Sequence, residues 1–116
     1  MEHLEHRILE ILQEHQGKDK AITVAELQRI VMASTRKIRA VIATLVTAHR
    51  APIASTVHPP YGFYLITSEA EARECLQQYW SRVREVSRRA RILNEVVKER
   101  FGIDVQQEFH FDAEER

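Results

Sequence analysis

Cysteine occurs once in the 116 residues, at Cys75. A lone thiol excludes a disulfide framework and a cysteine-based zinc site, and on a helix it reads as a small apolar residue. Glycine and proline occur three times each, and the chain holds neither a glycine-rich phosphate loop nor a Ser/Cys nucleophile motif. No apolar run approaches the ~20 residues of a membrane span, and the opening "MEHLEHRILE" is too acidic and polar for a secretory signal. A cytoplasmic protein without membrane contact is expected. The most telling lack is of acid: no Asp or Glu stands between Glu26 and Glu69. That centre offers no carboxylates for metal or acid–base chemistry, so neither an enzyme nor a cofactor is expected, and no small-molecule ligand is evident.

The length fits one domain with an appendage, burying roughly two-thirds of its unfolded surface. Lys plus Arg and Asp plus Glu number 17 each, so net charge is zero and by itself excludes no partner. The distribution is uneven. Residues 27–68 hold Arg29, Arg36, Lys37, Arg39 and Arg50 without an acid, whereas 102–116 hold Asp104, Glu108, Asp112, Glu114 and Glu115 against Arg116 alone. An acid-free basic segment in a neutral chain points to a phosphate-bearing partner, and otherwise to a solvated basic face.

Leu4, Ile8, Ile11, Leu12 and His15 recur at helical spacing and predict a first helix over 3–16, ended by Gly17. After the polar turn "GKDKA", Thr23 with Glu26 forms a capping box that opens a short second helix over 24–31. Only "MAS" precedes the next periodic run, which Ser34 or Thr35 caps, and two helices so tightly joined predict a helix-turn-helix. On a wheel of about 100° per residue the third helix gathers Ile38, Val41, Ile42 and Leu45 on one side. Arg36, Lys37, Ala40, Ala43, Thr44 and Thr47 fall opposite, with Arg39 on the flank. Next come "APIASTV", the turn "HPPYG" and "FYLIT", the pattern of a β-hairpin. From a cap at Thr67 or Ser68 to Gly102 no Gly or Pro intervenes, which predicts one helix of about 33 residues, roughly 50 Å long. Along it Leu76, Tyr79, Val83, Val86, Ala90, Leu93 and Val97 alternate at spacings of three and four. Leu76, Tyr79 and Trp80 can pack on the chain's own core; the remainder extends past such a body, and a second chain is its natural cover.

This order of helix, helix, turn, helix and hairpin resembles a winged helix-turn-helix domain over residues 3–66. It is most similar to the small N-terminal domain of biotin-repressor-type regulators and to like domains of bacterial and phage proteins. "ITVAEL", "STRKIRAVIATL", "API" and "YGFYL" carry the likeness. Two features depart from it: "HRA" ends the third helix where the family often has a glycine, and Pro59 and Pro60 stand at the wing tip, implying a stiff wing. Nothing after Leu65 continues into a ligase or ligand-binding domain, so no biotin-dependent function is implied. The division expected is a winged domain over 1–66, a dimerisation helix over 67–101 and an acidic tail over 102–116.

The resemblance implies double-stranded DNA as partner, with the third helix in the major groove and its first residues nearest the bases. Arg36 is the candidate for reading guanine bidentately, and Lys37 is a less directional charge beside it. Ser34 and Thr35 begin the helix, Ala40 and Ala43 offer methyls or room, and Thr44 and Thr47 are candidate donors. Arg39, Arg50 and His58 would meet the flanking backbone or minor groove. Tyr79, Val83, Val86, Ala90, Leu93 and Val97 form the expected homodimer seam, and Arg82, Arg84, Arg88, Arg89 and Arg91 keep that helix soluble or touch DNA flanks. His3 and His6, one turn apart, read as a solvated face rather than a metal pair. The tail "IDVQQEFHFDAEER" is disordered, an added strand or a peptide for another protein. The function expected is that of a dimeric transcriptional regulator; the alternative is a winged-helix interaction module in a replication or transcription complex.

Overall fold

The computed structural model describes residues 1–56 and 58–105. It is mainly helical with a small antiparallel sheet: α1 (His3–Leu12), a 3-10 turn over Lys18–Lys20, β1 (Ile22–Thr23), α2 (Val24–Val31), α3 (Thr35–Thr47), β2 (Ile53–Ser55), β3 (Gly62–Leu65) and α4 (Glu69–Phe101). The chain divides into two compact units, Met1–Cys75 and the part from Leu76 onward.

The first unit is built around an aliphatic core. Ile8 and Leu12 of α1, Leu27 and Val31 of α2, and Ile38, Val41, Ile42 and Leu45 of α3 are buried together with Ile22, Ile53 and Leu65 of the sheet. The helical spacing of these residues is what folds the three helices onto one another, since burying each side chain fully contributes about 1.5–3 kcal/mol. The buried side of α3 is the one its sequence predicts. Helix α2 also begins and ends as expected: the Thr23 hydroxyl accepts from the Glu26 N–H, and the Glu26 carboxylate accepts from the Thr23 N–H. Of the two candidates for the α3 cap, Ser34 fills the place, its Oγ accepting from the Lys37 N–H at 3.1 Å.

Three expectations are corrected. Helix α1 stops at Leu12, not at residue 16, because the following residues are drawn to the sheet: His15 O accepts from Leu65 N, and Gly17 N donates to Leu65 O. His15 is therefore off the helix, and its Nδ1 donates to Lys20 O at 2.7 Å. The sheet has three strands in the order β1-β3-β2 rather than a bare hairpin, with Ile22 opposite Phe63 and Thr23 opposite Gly62. Gly62 makes that third strand possible, since a Cβ there would lie 2.6 Å from Ile22 O and 2.9 Å from its carbonyl carbon. Helix α3 ends at Thr47, and Arg50 itself supplies the reversal expected of a glycine, at φ 58.

Glu5, buried in α1, accepts from the Glu2 N–H and lies 3.2 Å from His49 Nε2, joining α1 to the end of α3. Glu71 fixes the start of α4. Its carboxylate accepts from the backbone N–H groups of Lys18 and Thr67, both at 2.9 Å. These two bonds, that of Lys18 first, hold its pKa below the usual glutamate value. Lys18 also reaches Glu74 at 2.9 Å, so the first turns of α4 belong to the first unit.

Helix α4 runs 33 residues and is stopped at Gly102, which takes φ 72. None of its residues is buried; Leu76, Tyr79 and Trp80, candidates for the chain's own core, are all exposed. After the helix, Asp104 accepts from Asn94 Nδ2 at 3.1 Å and lies 3.8 Å from Lys98 Nζ. The expectations for the tail from residue 106 on, and for Val57 in the first hairpin strand, lie outside the described residues. No described helix is long and apolar enough to cross a membrane.

Candidate nucleic-acid interface

The outward side of α3 is the most distinctive surface of the first unit. Ser34, Thr35, Arg36, Lys37, Arg39, Ala40, Ala43 and Thr47 are exposed, Thr44 is half-buried, and the core side chains lie on the other side. The expected site residues of α3 thus share one helix, and most share its open face. Among the described residues, the side chains of Arg36 and Lys37 have neither a hydrogen bond nor an ion pair.

Their place in the helix makes this notable. With Ser34 as N-cap, Arg36 and Lys37 are the second and third residues of α3, where the partial positive charge of the helix N-terminus disfavours cations and favours acids. In the other α-helices the third position is glutamate: Glu5 in α1, Glu26 in α2 and Glu71 in α4. Among the described α-helices only α3 carries a cation there, and its first turn has no acid. Local stability would select glutamate at 37, so the lysine needs another cause.

The threonines differ from expectation in their bonding. Thr44 Oγ1 donates to Ala40 O at 3.1 Å and Thr47 Oγ1 to Ala43 O at 2.9 Å, so in this arrangement each hydroxyl offers a lone pair rather than a proton to a partner. Ala40 and Ala43, between them, keep the face low.

Arg39 leaves α3 toward the sheet. Its guanidinium lies over the Phe63 ring, 5.8 Å from the centroid, and borders a shallow cavity of about 160 Å³ with Val24, Ser55, Thr56, Tyr61 and Gly62. The sheet end of this cavity is tied by Thr56, whose hydroxyl donates to Pro60 O at 3.2 Å and accepts from the Gly62 N–H at 2.9 Å. Tyr61 is exposed beside it. Sequence reasoning missed Thr56 and Tyr61; a Thr ahead of Pro-Pro-Tyr-Gly is the only signal for them. His58, Pro59 and Pro60 are exposed in the same turn, with a cis peptide between the prolines. Arg50 is exposed after α3.

In the second unit the expected seam residues Tyr79, Val83, Val86, Ala90 and Leu93 are exposed and Val97 is half-buried. Comparison with family models, curated proteins and solved structures gives no match.

Proposed function

We propose that the chain is a DNA-binding protein of the winged helix-turn-helix kind, acting without catalysis or cofactor in the cytosol as a dimeric transcriptional regulator. The order of α1, β1, α2, α3, β2 and β3, the three-residue connection of α2 to α3, and the sheet order β1-β3-β2 support this reading of the fold. Helix α3 is then the major-groove helix, and the β2–β3 turn with His58 is the wing.

The observation that carries the reading is Lys37 beside Arg36 in the first turn of α3, without a partner among the described residues and opposed to the helix dipole. A duplex phosphate or guanine edge supplies the missing negative charge. Arg36 reads a base, Lys37 and Arg39 meet phosphates, and Arg50 and His58 meet the neighbouring backbone. Ser34, Thr35, Ala40, Ala43, Thr44 and Thr47 line the contact, the two threonines as acceptors. The seam of α4 joins two such heads, which raises the effective concentration of the second once the first is bound.

Selection of bound sequences from a random duplex pool tests the proposal, with enrichment of one motif as the expected result. A second reading, a protein-interaction module, draws on exposed apolar residues in the last turn of α2 and just after it, Ile30 and Met32, the latter 85% exposed. A pool that stays random would favour it.

A further inference from the structure

The seam of α4 also carries directional information. Resting on the dimeric reading above, we propose that two copies of α4 pair parallel and in register, from Leu76 to Val97, as a two-stranded coiled coil.

Among the described residues the seam lies open: Val86 is 62% exposed and Leu93 60%. Val83 and Val97 occupy the position where β-branched residues favour two strands, and Leu93 occupies the companion position where leucine does so. Direction is decided by the residues that flank the seam. In a parallel pair each flank meets the opposite flank of the second copy five residues on. Arg82 then faces Ser87 of the second copy, and Arg89 faces Asn94, whose amide is bonded to the Asp104 carboxylate at 3.1 Å. The cations thus meet polar or anionic groups. At the ends Cys75 faces Trp80 and Val96 faces Phe101, so the apolar strip widens at both extremities of the seam.

In an antiparallel pair like flanks meet. The register that overlaps the whole seam sets Arg89 against Arg89 of the second copy. Slipping by one heptad in one direction sets Arg82 against Arg89 twice. Slipping in the other leaves Leu76 and Tyr79 uncovered and lays Val83 against Arg100. The flank cations are also steered along their own helix, Arg82 over the Tyr79 ring at 5.0 Å and Arg89 at 3.9 Å from Glu85. Each antiparallel register therefore opposes like charges within the seam or wastes apolar surface, whereas the parallel one opposes like charges only past the seam's end, where Arg100 meets Arg100 of the second copy. In a parallel pair the residues preceding the seam enter it from the same end in both chains. The two heads then read half-sites close together and related by a dyad, not half-sites held apart by the length of the coil.

Distances between identical sites test this. In a chain carrying Cys75→Ser, a spin label is placed at Gln77→Cys or, separately, at Glu99→Cys, both off the seam, and the label-to-label distance is measured by pulsed electron resonance. A parallel pair gives no axial offset at either site, hence distances under about 30 Å at both. A fully overlapped antiparallel pair offsets each site from its twin by about 33 Å along the axis and lengthens both distances accordingly. Short distances at both sites are expected. Long distances at either, with sedimentation at twice 13.6 kDa, would overturn the direction and leave the dimer standing. Sedimentation of the parent as a monomer would overturn both.

Discussion

Replacing Lys37 by glutamate should make the protein more stable and a poorer DNA binder at once. The side chain is exposed at the third position of α3 and has no partner among the described residues, so no contact described there is lost. Removing a cation from a helix N-terminus and placing an anion there are each worth about 0.3–1 kcal/mol at an exposed site. The new carboxylate can also accept from the Ser34 N–H, completing a capping box like that of Thr23 and Glu26. A net gain of about 1 kcal/mol raises the melting temperature of a domain this size by about 4–6 °C. Binding moves the other way: losing one neutralised phosphate lowers the log–log salt slope by about 0.9, and the new anion repels the backbone besides. An affinity loss of about tenfold or more near physiological salt is expected. Thermal unfolding followed by circular dichroism, with duplex titrations at several salt concentrations, reads both quantities. A variant that is more stable yet binds DNA as the parent does would show that DNA is not the cause of a lysine at 37. A variant that is less stable would mean that Lys37 serves the fold.

Other substitutions probe the remaining parts. Gly62→Ala forces a Cβ against Ile22 O and should cost about 2–4 kcal/mol through lost β1 pairing and a disturbed Thr23 cap, measured by denaturant unfolding; a loss under about 0.5 kcal/mol would mean the strands can part freely. Arg50→Gly relieves a left-handed residue and should stabilise by up to about 1 kcal/mol while weakening DNA binding; equal binding would remove Arg50 from the interface. Because hydrogen bonds lower the Glu71 pKa in the folded chain, its contribution is present above the usual glutamate range and is lost as pH falls through the folded value. Glu71→Gln should therefore be less stable than the parent at pH 7, with the gap closing below about pH 4; a gap that stays constant with pH would contradict this. Lysine at both Val86 and Leu93 should separate the chains and sharply reduce DNA affinity while the first unit stays folded, which sedimentation and thermal unfolding check together; an unchanged dimer would displace the seam.

What the sequence made legible is what local chemistry decides. The limits of α2 follow from one capping box and one aliphatic run, and the long α4 from the absence of Gly and Pro between Thr67 and Gly102. The burial of Ile38, Val41, Ile42 and Leu45 follows from their spacing. What escaped depends on partners distant in the chain. Ile22 and Thr23 have no strand pattern of their own and become one by lying against Phe63 and Gly62. Residues 13–16 continue the helical stripe on paper, yet Leu65 takes the His15 carbonyl for the sheet. The cations of the candidate interface were visible as an acid-free run. Their spacing alone could not place Arg39 over Phe63, or the threonine hydroxyls on carbonyls of their own helix.

Whether α3 reads duplex DNA is decided by carrying the parent chain and Arg36→Ala side by side through selection from a random duplex pool. The parent should enrich one motif. Arg36→Ala should lose about 1–3 kcal/mol on that motif and relax preference at one base pair of each half-site. A uniform loss on every sequence would reduce Arg36 to a phosphate contact, and a parent pool that remains random would refute DNA reading by α3 altogether.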